Sequence, residues 1–198
     1  MKIVVVGASG ILGRAVVGEL RKSHEVIEAS RSSQDHPVDI CDDGSVRALL
    51  DAIGPLDAIV STTGDVHFGP LREMTTEQFN KGLQNKLLGQ VRLALIGQHY
   101  LNDGGSITLT TGILTWEPIR DGVNAMSVNA AVEGFVRGAA TELKTARINA
   151  VSPTLLTEAL DAYGAWFPGF ETVPASRVAL AFRRSVDGVE TGRVYKVW

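Results

Sequence analysis

Three glycines near the N-terminus carry the first chemical signal. Gly7, Gly10 and Gly13 recur within Gly7-Ala8-Ser9-Gly10-Ile11-Leu12-Gly13, directly after the apolar run Ile3–Val6 and directly before a helical pattern. Residues without a Cβ permit a tight turn and close backbone approach. Free amides at a helix start bind phosphate without any cationic side chain. In this context the spacing predicts a dinucleotide pyrophosphate site rather than a plain strand-to-helix turn. A second signal is Ser30-Arg31-Ser32, which follows the next strand-like run. An acidic residue there would hold the ribose hydroxyls of NAD. A guanidinium instead pairs with a 2′-phosphate, which favours NADP over NAD. Glu28 is the rival acidic candidate for NAD.

These residues need a scaffold that places strand ends together. Short β-branched runs alternate with helical patterns along the chain. Strands are expected at 3–6, 26–27, 37–40, 57–60, 106–110, 147–151 and 193–197. Helical spacing runs through Ile11, Leu12, Ala15, Val16 and Leu20, and through Val46, Leu49, Leu50 and Ile53, with Asp43 and Ser45 able to cap the second helix. Two helical turns follow Thr75, and longer helices are expected near 79–101, 123–145 and 175–186. This alternation predicts a single α/β domain, 1–198, with a Rossmann-like, doubly wound parallel sheet of about seven strands. Ligands then bind beyond the carboxyl ends of the strands.

Composition narrows the function classes. The chain has 198 residues, of which 44% are hydrophobic and 21% charged, with a net charge of −3. Neither a basic stripe nor an acidic tail stands out, so nucleic acid and membrane are not expected partners. The lone cysteine, Cys41, excludes an internal disulfide framework and a multi-cysteine metal site. His24, His36 and His99 show no metal-ligand spacing, while His67, with Asp65 after the fourth strand, is either a proton carrier or an exposed loop histidine. The expectation is a soluble, cytoplasmic protein that acts on a small molecule and holds no metal.

Further motifs in this order resemble the short-chain dehydrogenase/reductase family over nearly the whole chain. Asp39-Ile40 matches the pair that contacts adenine, and Ser61-Thr62-Thr63-Gly64 stands where the family has Asn-Asn-Ala-Gly. Gly105–Gly112 looks like the strand that bears the catalytic serine, so Thr111 falls at that serine. Ala130–Phe135 resembles the helix after the catalytic tyrosine and lysine, and Ile148–Pro153 resembles the following strand and exit loop. The resemblance implies cofactor contacts from Gly7, Ser9, Gly10, Ile11, Leu12, Gly13, Ser30, Arg31, Asp39, Ile40, Ser61, Thr62, Thr63, Gly64 and Pro153.

The same register puts Ala125 at the tyrosine and Asn129 at the lysine. Alanine donates no proton, whereas the asparagine amide can still hydrogen-bond the nicotinamide ribose. The pattern is similar to a divergent subgroup of about 200 residues that lacks Tyr-x-x-x-Lys. Lys86 takes the place of the family's helix asparagine, with Asn85 one position earlier. A desolvated lysine, normally near pKa ~10.4, can shift toward neutrality and serve as proton source. The expected catalytic residues are therefore Lys86, Thr111, Asn129 and Tyr163, the last on a short substrate lid, 152–174. Trp116, Trp166, Phe167 and Phe170 are candidates for an apolar pocket wall.

Gly82, Gly89 and Gly97 on one long helix, with Gly134 and Gly138 on the next, suggest close helix approach. Family members often pair these two helices, which implies a homodimer or homotetramer. The leading reading is an oxidoreductase that transfers a hydride between NADP(H) and a small carbonyl or alcohol. The alternatives are an NADP-binding protein without redox turnover and a non-redox lyase or isomerase that uses the same pocket.

Overall fold

The first strand, β1 (Lys2–Val6), shows why the sheet lies between two layers in this computed structural model, which describes residues 1–198. Successive side chains leave a strand on opposite faces. Ile3 and Val5 therefore enter one core, and Val4 and Val6 the other, all of them buried. Burying a side chain of this size contributes about 1.5–3 kcal/mol.

The chain continues through α1 (Ile11–Leu20), β2 (Glu25–Ala29), α2 (Asp43–Ile53), β3 (Leu56–Ser61), α3 (Thr76–Gly82) and α4 (Gly89–Gly97). It then forms β4 (Leu101–Thr110), α5 (Val123–Glu142), β5 (Arg147–Pro153), α6 (Leu160–Tyr163), α7 (Ala175–Asp187) and β6 (Val194–Val197). All strand pairs are parallel, in the order β2-β1-β3-β4-β5-β6. Helices α1 and α7 cover one face, and α2, α4 and α5 the other. The strand order reverses between β1 and β3, so their carboxyl ends flank the crevice of a doubly wound Rossmann-like sheet.

The sheet has six strands, close to the expected number; the run at 37–40 is not one of them and makes only an isolated bridge between Ser30 and Pro37. Proline brings no N–H to a ladder. The Asp39 N–H donates instead to Ser45 Oγ, and the Cys41 N–H to Asp39 Oδ1. Ser45, in the first turn of α2, is thereby engaged by the preceding loop, and the cap of α2 is Asp42, whose side chain accepts the Gly44 N–H at 2.9 Å.

The expected long helix is a composite. Thr75 and Gln78 form a capping box at the start of α3. A π-helical stretch, Leu83–Leu88, then joins α3 to α4. Gln90, fully buried, ties this stretch to the sheet. Its Nε2 donates to Lys86 O at 2.9 Å and to Thr110 O at 2.8 Å, while its Oε1 accepts the Thr110 N–H at 2.8 Å.

The glycines of this run pack within their own chain. A Cβ on Gly82, Gly89 or Gly97 would come within 2.3, 2.6 and 2.4 Å of Asn124, Ile40 and Ile59 respectively. These three positions are thus accounted for without a second copy of the chain. By contrast, a Cβ on Gly134 or Gly138 would meet nothing within 4 Å.

Candidate active site

The loop between β1 and α1 is shaped by its glycines. Gly7 adopts φ +90°, and a Cβ on Gly13 would stand 2.1 Å from Gly7 O. Gly10 caps α1 without any side-chain hydrogen bond, so the amides of the first turn stay open for an acceptor. Ile11 faces outward, Leu12 packs into the core, and Gly13 lies beneath Gly7.

Above this loop lies a cavity of about 490 Å³. Its wall includes Gly7, Ser9 and Gly10, then Ser30, Arg31 and Ser32. Asp39, Thr62, Thr63, Gly64, Asp65 and Asn85 continue the polar lining, with Ile40 among its apolar residues. Ser61 is fully buried beside it and shares a 2.8 Å hydrogen bond with Thr63 Oγ1. Arg31 is exposed at the rim and makes no ion pair, whereas Glu28 is held by Arg21 at 2.5 Å. The acidic rival is therefore occupied elsewhere, and the free cation faces the cavity. Cys41 is half-buried behind this wall, and its burial, together with Asp39, pushes its thiol pKa up.

A second cavity, of about 280 Å³, shares Gly64 and Asp65 with the first. Lys86, Thr111, Asn129, Pro153 and Tyr163 all line it. The structure therefore brings together, in one apolar chamber, side chains that the sequence scatters over almost eighty residues. Ile113, Leu114, Leu155, Leu156, Phe68 and Phe167 make the apolar wall. Of the other expected aromatics, Trp166 stacks on Phe68 at 5.3 Å, Phe170 packs edge-on against Phe167, and Trp116 covers Lys196 instead. His67 does not line either cavity; its amide donates to Asn124 Oδ1 at 2.9 Å.

Lys86 enters the second cavity over Gly64. At Gly64, φ is +123°, and a Cβ there would stand 2.2 Å from Lys86 Cδ, so only glycine leaves room for the lysine stem. The ammonium has neither a carboxylate nor a hydrogen-bond partner, and burial alone pushes its pKa down to about 8. Successive residues on a helix point about 100° apart, so Asn85 faces the first cavity and Lys86 the second.

Ala125 and Asn129 both line the second cavity from α5. Asn129 is 6% exposed, and its Oδ1 is a buried acceptor without a donor. Thr111 Oγ1 lies 3.1 Å from Asn129 O, 3.3 Å from Glu133 Oε1 and 3.3 Å from Thr115 Oγ1. Glu133 is 1% exposed, one turn beyond Asn129, with Arg137 3.7 Å from its other oxygen. Sequence reasoning missed Glu133, Gln90 and Asn124. Each is a polar residue at a core position of a helix, the one local sign that could have marked them.

The stretch 152–174 lines one side of this chamber through residues such as Pro153, Leu155, Tyr163 and Phe167. Its ends are joined by a bridge between Leu156 and Val173 and by the Thr154 hydroxyl on Glu171 O at 3.1 Å. Tyr163, 44% exposed, packs against Phe68 and Trp166 at 6.3 and 6.1 Å. No helix is long and apolar enough to cross a membrane.

Comparison with known proteins bears on this arrangement. A family model described as Enoyl-(Acyl carrier protein) reductase matches residues 8–195. The chain is similar to the protein lin1944 of Listeria innocua, whose crystal structure superposes with a TM-score of 0.98 at 47% identity over 100% of both chains. It is also similar to a small-chain dehydrogenase crystallised in complex with NADPH, at TM-score 0.89 and 29% identity, over 100% of this chain and 96% of that one. A hydroxynaphthalene reductase of Aspergillus fumigatus is 26% identical over 156 residues, which are 74% of this chain and 57% of that protein. The chain spans about half the length of the curated relatives it matches.

Proposed function

This chain belongs to the short-chain dehydrogenase/reductase family, and from that premise we propose that it is an NADP(H)-dependent oxidoreductase of a small carbonyl or alcohol. One observation carries the reading: a glycine-walled cavity with an unpaired arginine at its rim opens, through Gly64 and Asp65, onto a chamber holding a lone buried lysine. The NADPH-bound relative supports the cofactor.

The residues present fit NADP. The uncapped start of α1 and the missing Cβ atoms of Gly7 and Gly13 suit a pyrophosphate. Arg31 suits a 2′-phosphate. Asp39 and Ile40 border the adenine side, and Ser61–Gly64 the central wall. The orphaned Oδ1 of Asn129 suits a ribose hydroxyl, beside Pro153. When bound, NADPH supplies the hydride and the electron pair it carries. The Lys86 ammonium faces the reacting oxygen, stabilises its growing negative charge and delivers a proton to it. Thr111 donates a hydrogen bond to the same oxygen once its hydroxyl turns away from Asn129 O and Glu133 Oε1. Tyr163 and the rest of 152–174 act as a lid that excludes water from the chamber.

A second copy of the chain fits the groove between α4 and α5, about 360 Å³, where Leu95 is 54% exposed and Gly138 is open. This face supports a homodimer or homotetramer. The activity is tested by following NADPH oxidation at 340 nm with a panel of aldehydes, ketones and quinones. Turnover that is lost in Lys86→Met supports the reading. NADPH binding without turnover of any carbonyl would favour the non-redox alternative.

A further inference from the structure

The second cavity has an unusual charge balance. Asp65 is the carboxylate in its wall, and that carboxylate is already paired with Lys81 at 2.8 Å and accepts the Val66 N–H at 2.9 Å. Lys86 is the cation in the wall, and no protein group neutralises it. Burying an ammonium without a partner is expensive, and a ligand anion brought into the same low-dielectric space removes that penalty. The remaining wall is mostly apolar apart from Thr111, Asn129 and Thr154, with Phe68, Tyr163 and Phe167 contributing ring surface. Phe68 and Tyr163 come from different segments and lie 6.3 Å apart by ring centroid, tilted at 56°; Trp166 stacks on Phe68 at 5.3 Å outside the chamber lining, and the chamber meets the remaining surface of Phe68 and Tyr163 together with Phe167.

We propose that this chamber selects a planar aromatic molecule bearing one anionic oxygen group, with the anion on Lys86 and the ring among Phe68, Tyr163 and Phe167. This goes beyond the redox reading and does not depend on it, because the selection lies in binding rather than in hydride transfer. The ligand class is then arenecarboxylates, which occupy Lys86 without being reduced, and ionised hydroxyaryl carbonyl compounds, whose oxygen anion can share Lys86 with the neighbouring carbonyl oxygen. Neutral or aliphatic analogues leave either the ammonium or the rings without a partner.

The test is calorimetric binding to the full-length chain, with and without saturating NADPH. The probes are trans-cinnamate, its neutral isostere cinnamamide, and hexanoate as an aliphatic anion. Cinnamate is expected to bind about tenfold or more tightly than cinnamamide, the size of a charge-assisted contact. It is also expected to exceed hexanoate, and its advantage over the amide is expected to vanish in Lys86→Met. The unfolding midpoint of that variant is recorded alongside, and Lys86→Arg, which keeps the charge, is expected to retain a preference for the anion. Equal affinity for cinnamate and cinnamamide overturns the anion half. Equal affinity for cinnamate and hexanoate overturns the aromatic half. Binding of none of the three overturns the proposal, yet it leaves the NADPH oxidation assay to judge the redox reading by itself.

Discussion

The Thr111 hydroxyl lies 3.3 Å from the buried Glu133 carboxylate, and the two are joined behind the wall of the second cavity. A threonine has one hydroxyl proton. Asn129 O at 3.1 Å and Glu133 Oε1 both accept that proton on the inner side. Glu133 thus competes with the substrate oxygen for the Thr111 proton and restrains the direction in which it is donated. Glu133→Gln keeps the shape, removes the charge and adds an amide that can donate to Thr111 Oγ1, which releases the hydroxyl proton toward the chamber. It is expected to raise rather than lower kcat and to leave NADPH affinity unchanged. A higher kcat with an unchanged Kd for NADPH checks this, since a merely structural role would move both affinity and stability.

Lys86 makes stability and activity depend on pH in opposite ways. Its folded-state pKa is lowered from 10.5 to about 8 by burial. Between those values the unfolded chain binds the proton more tightly, so stability rises with pH across that window. Below about pH 8 the buried ammonium is charged and the penalty is in full force. The gain from pH 8 to beyond pH 10.5 is on the order of 3 kcal/mol and is expected to be absent in Lys86→Met. Urea unfolding of both proteins across this range measures the difference. Carbonyl reduction, which needs the ammonium form, is expected to decline as pH rises through about 8.

Gly64 is expected to tolerate no side chain. An added Cβ would collide with the Lys86 stem at 2.2 Å, at a φ of +123°. Gly64→Ala is therefore expected to destabilise the fold by about 2 kcal/mol or more, from strain and overpacking together. Chemical denaturation measures that loss, and an unchanged midpoint would mean that Lys86 can leave the cavity.

Leu95 tests the proposed oligomer. It is 54% exposed beside the groove of α4 and α5. Leu95→Glu is expected to convert an oligomer of the 21.1 kDa chain to monomer in sedimentation velocity, without lowering the unfolding midpoint of the monomer. If the parent chain already sediments as a monomer at micromolar concentration, the face has no second copy.

The cofactor half was legible in the sequence because its signals are local. A buried strand, a glycine-spaced turn and a helix follow one another directly, and Gly7 and Gly13 crowd their own loop. The candidate catalytic chamber was only partly legible. Lys86, Thr111 and Asn129 were named by register, and the structure places all three in the wall of one chamber. Their supports were not found, because Gln90 reaches Thr110 across 20 residues, Glu133 reaches Thr111 across 22, and Asn124 reaches Phe79 across 45. Such pairs follow from helix placement on the sheet, which periodicity does not specify. The run at 37–40 misled for a related reason: its β-branched composition fits a strand, yet Pro37 and the side chains of Ser45 and Asp39 deny it a ladder. The glycines of α3 and α4 were ambiguous in sequence, since packing on one's own sheet and packing on a partner demand the same small residue.

The central claim is that the first cavity holds NADP and that Arg31 reads its 2′-phosphate. Titration of NADPH and NADH against the parent chain and Arg31→Ala, followed by calorimetry, tests it most directly. The account predicts that NADPH binds about tenfold or more tightly than NADH, the value of a charge-assisted phosphate contact. It also predicts that Arg31→Ala removes this preference while NADH affinity stays the same. Equal binding of the two nucleotides to the parent chain, or binding of neither, would contradict it.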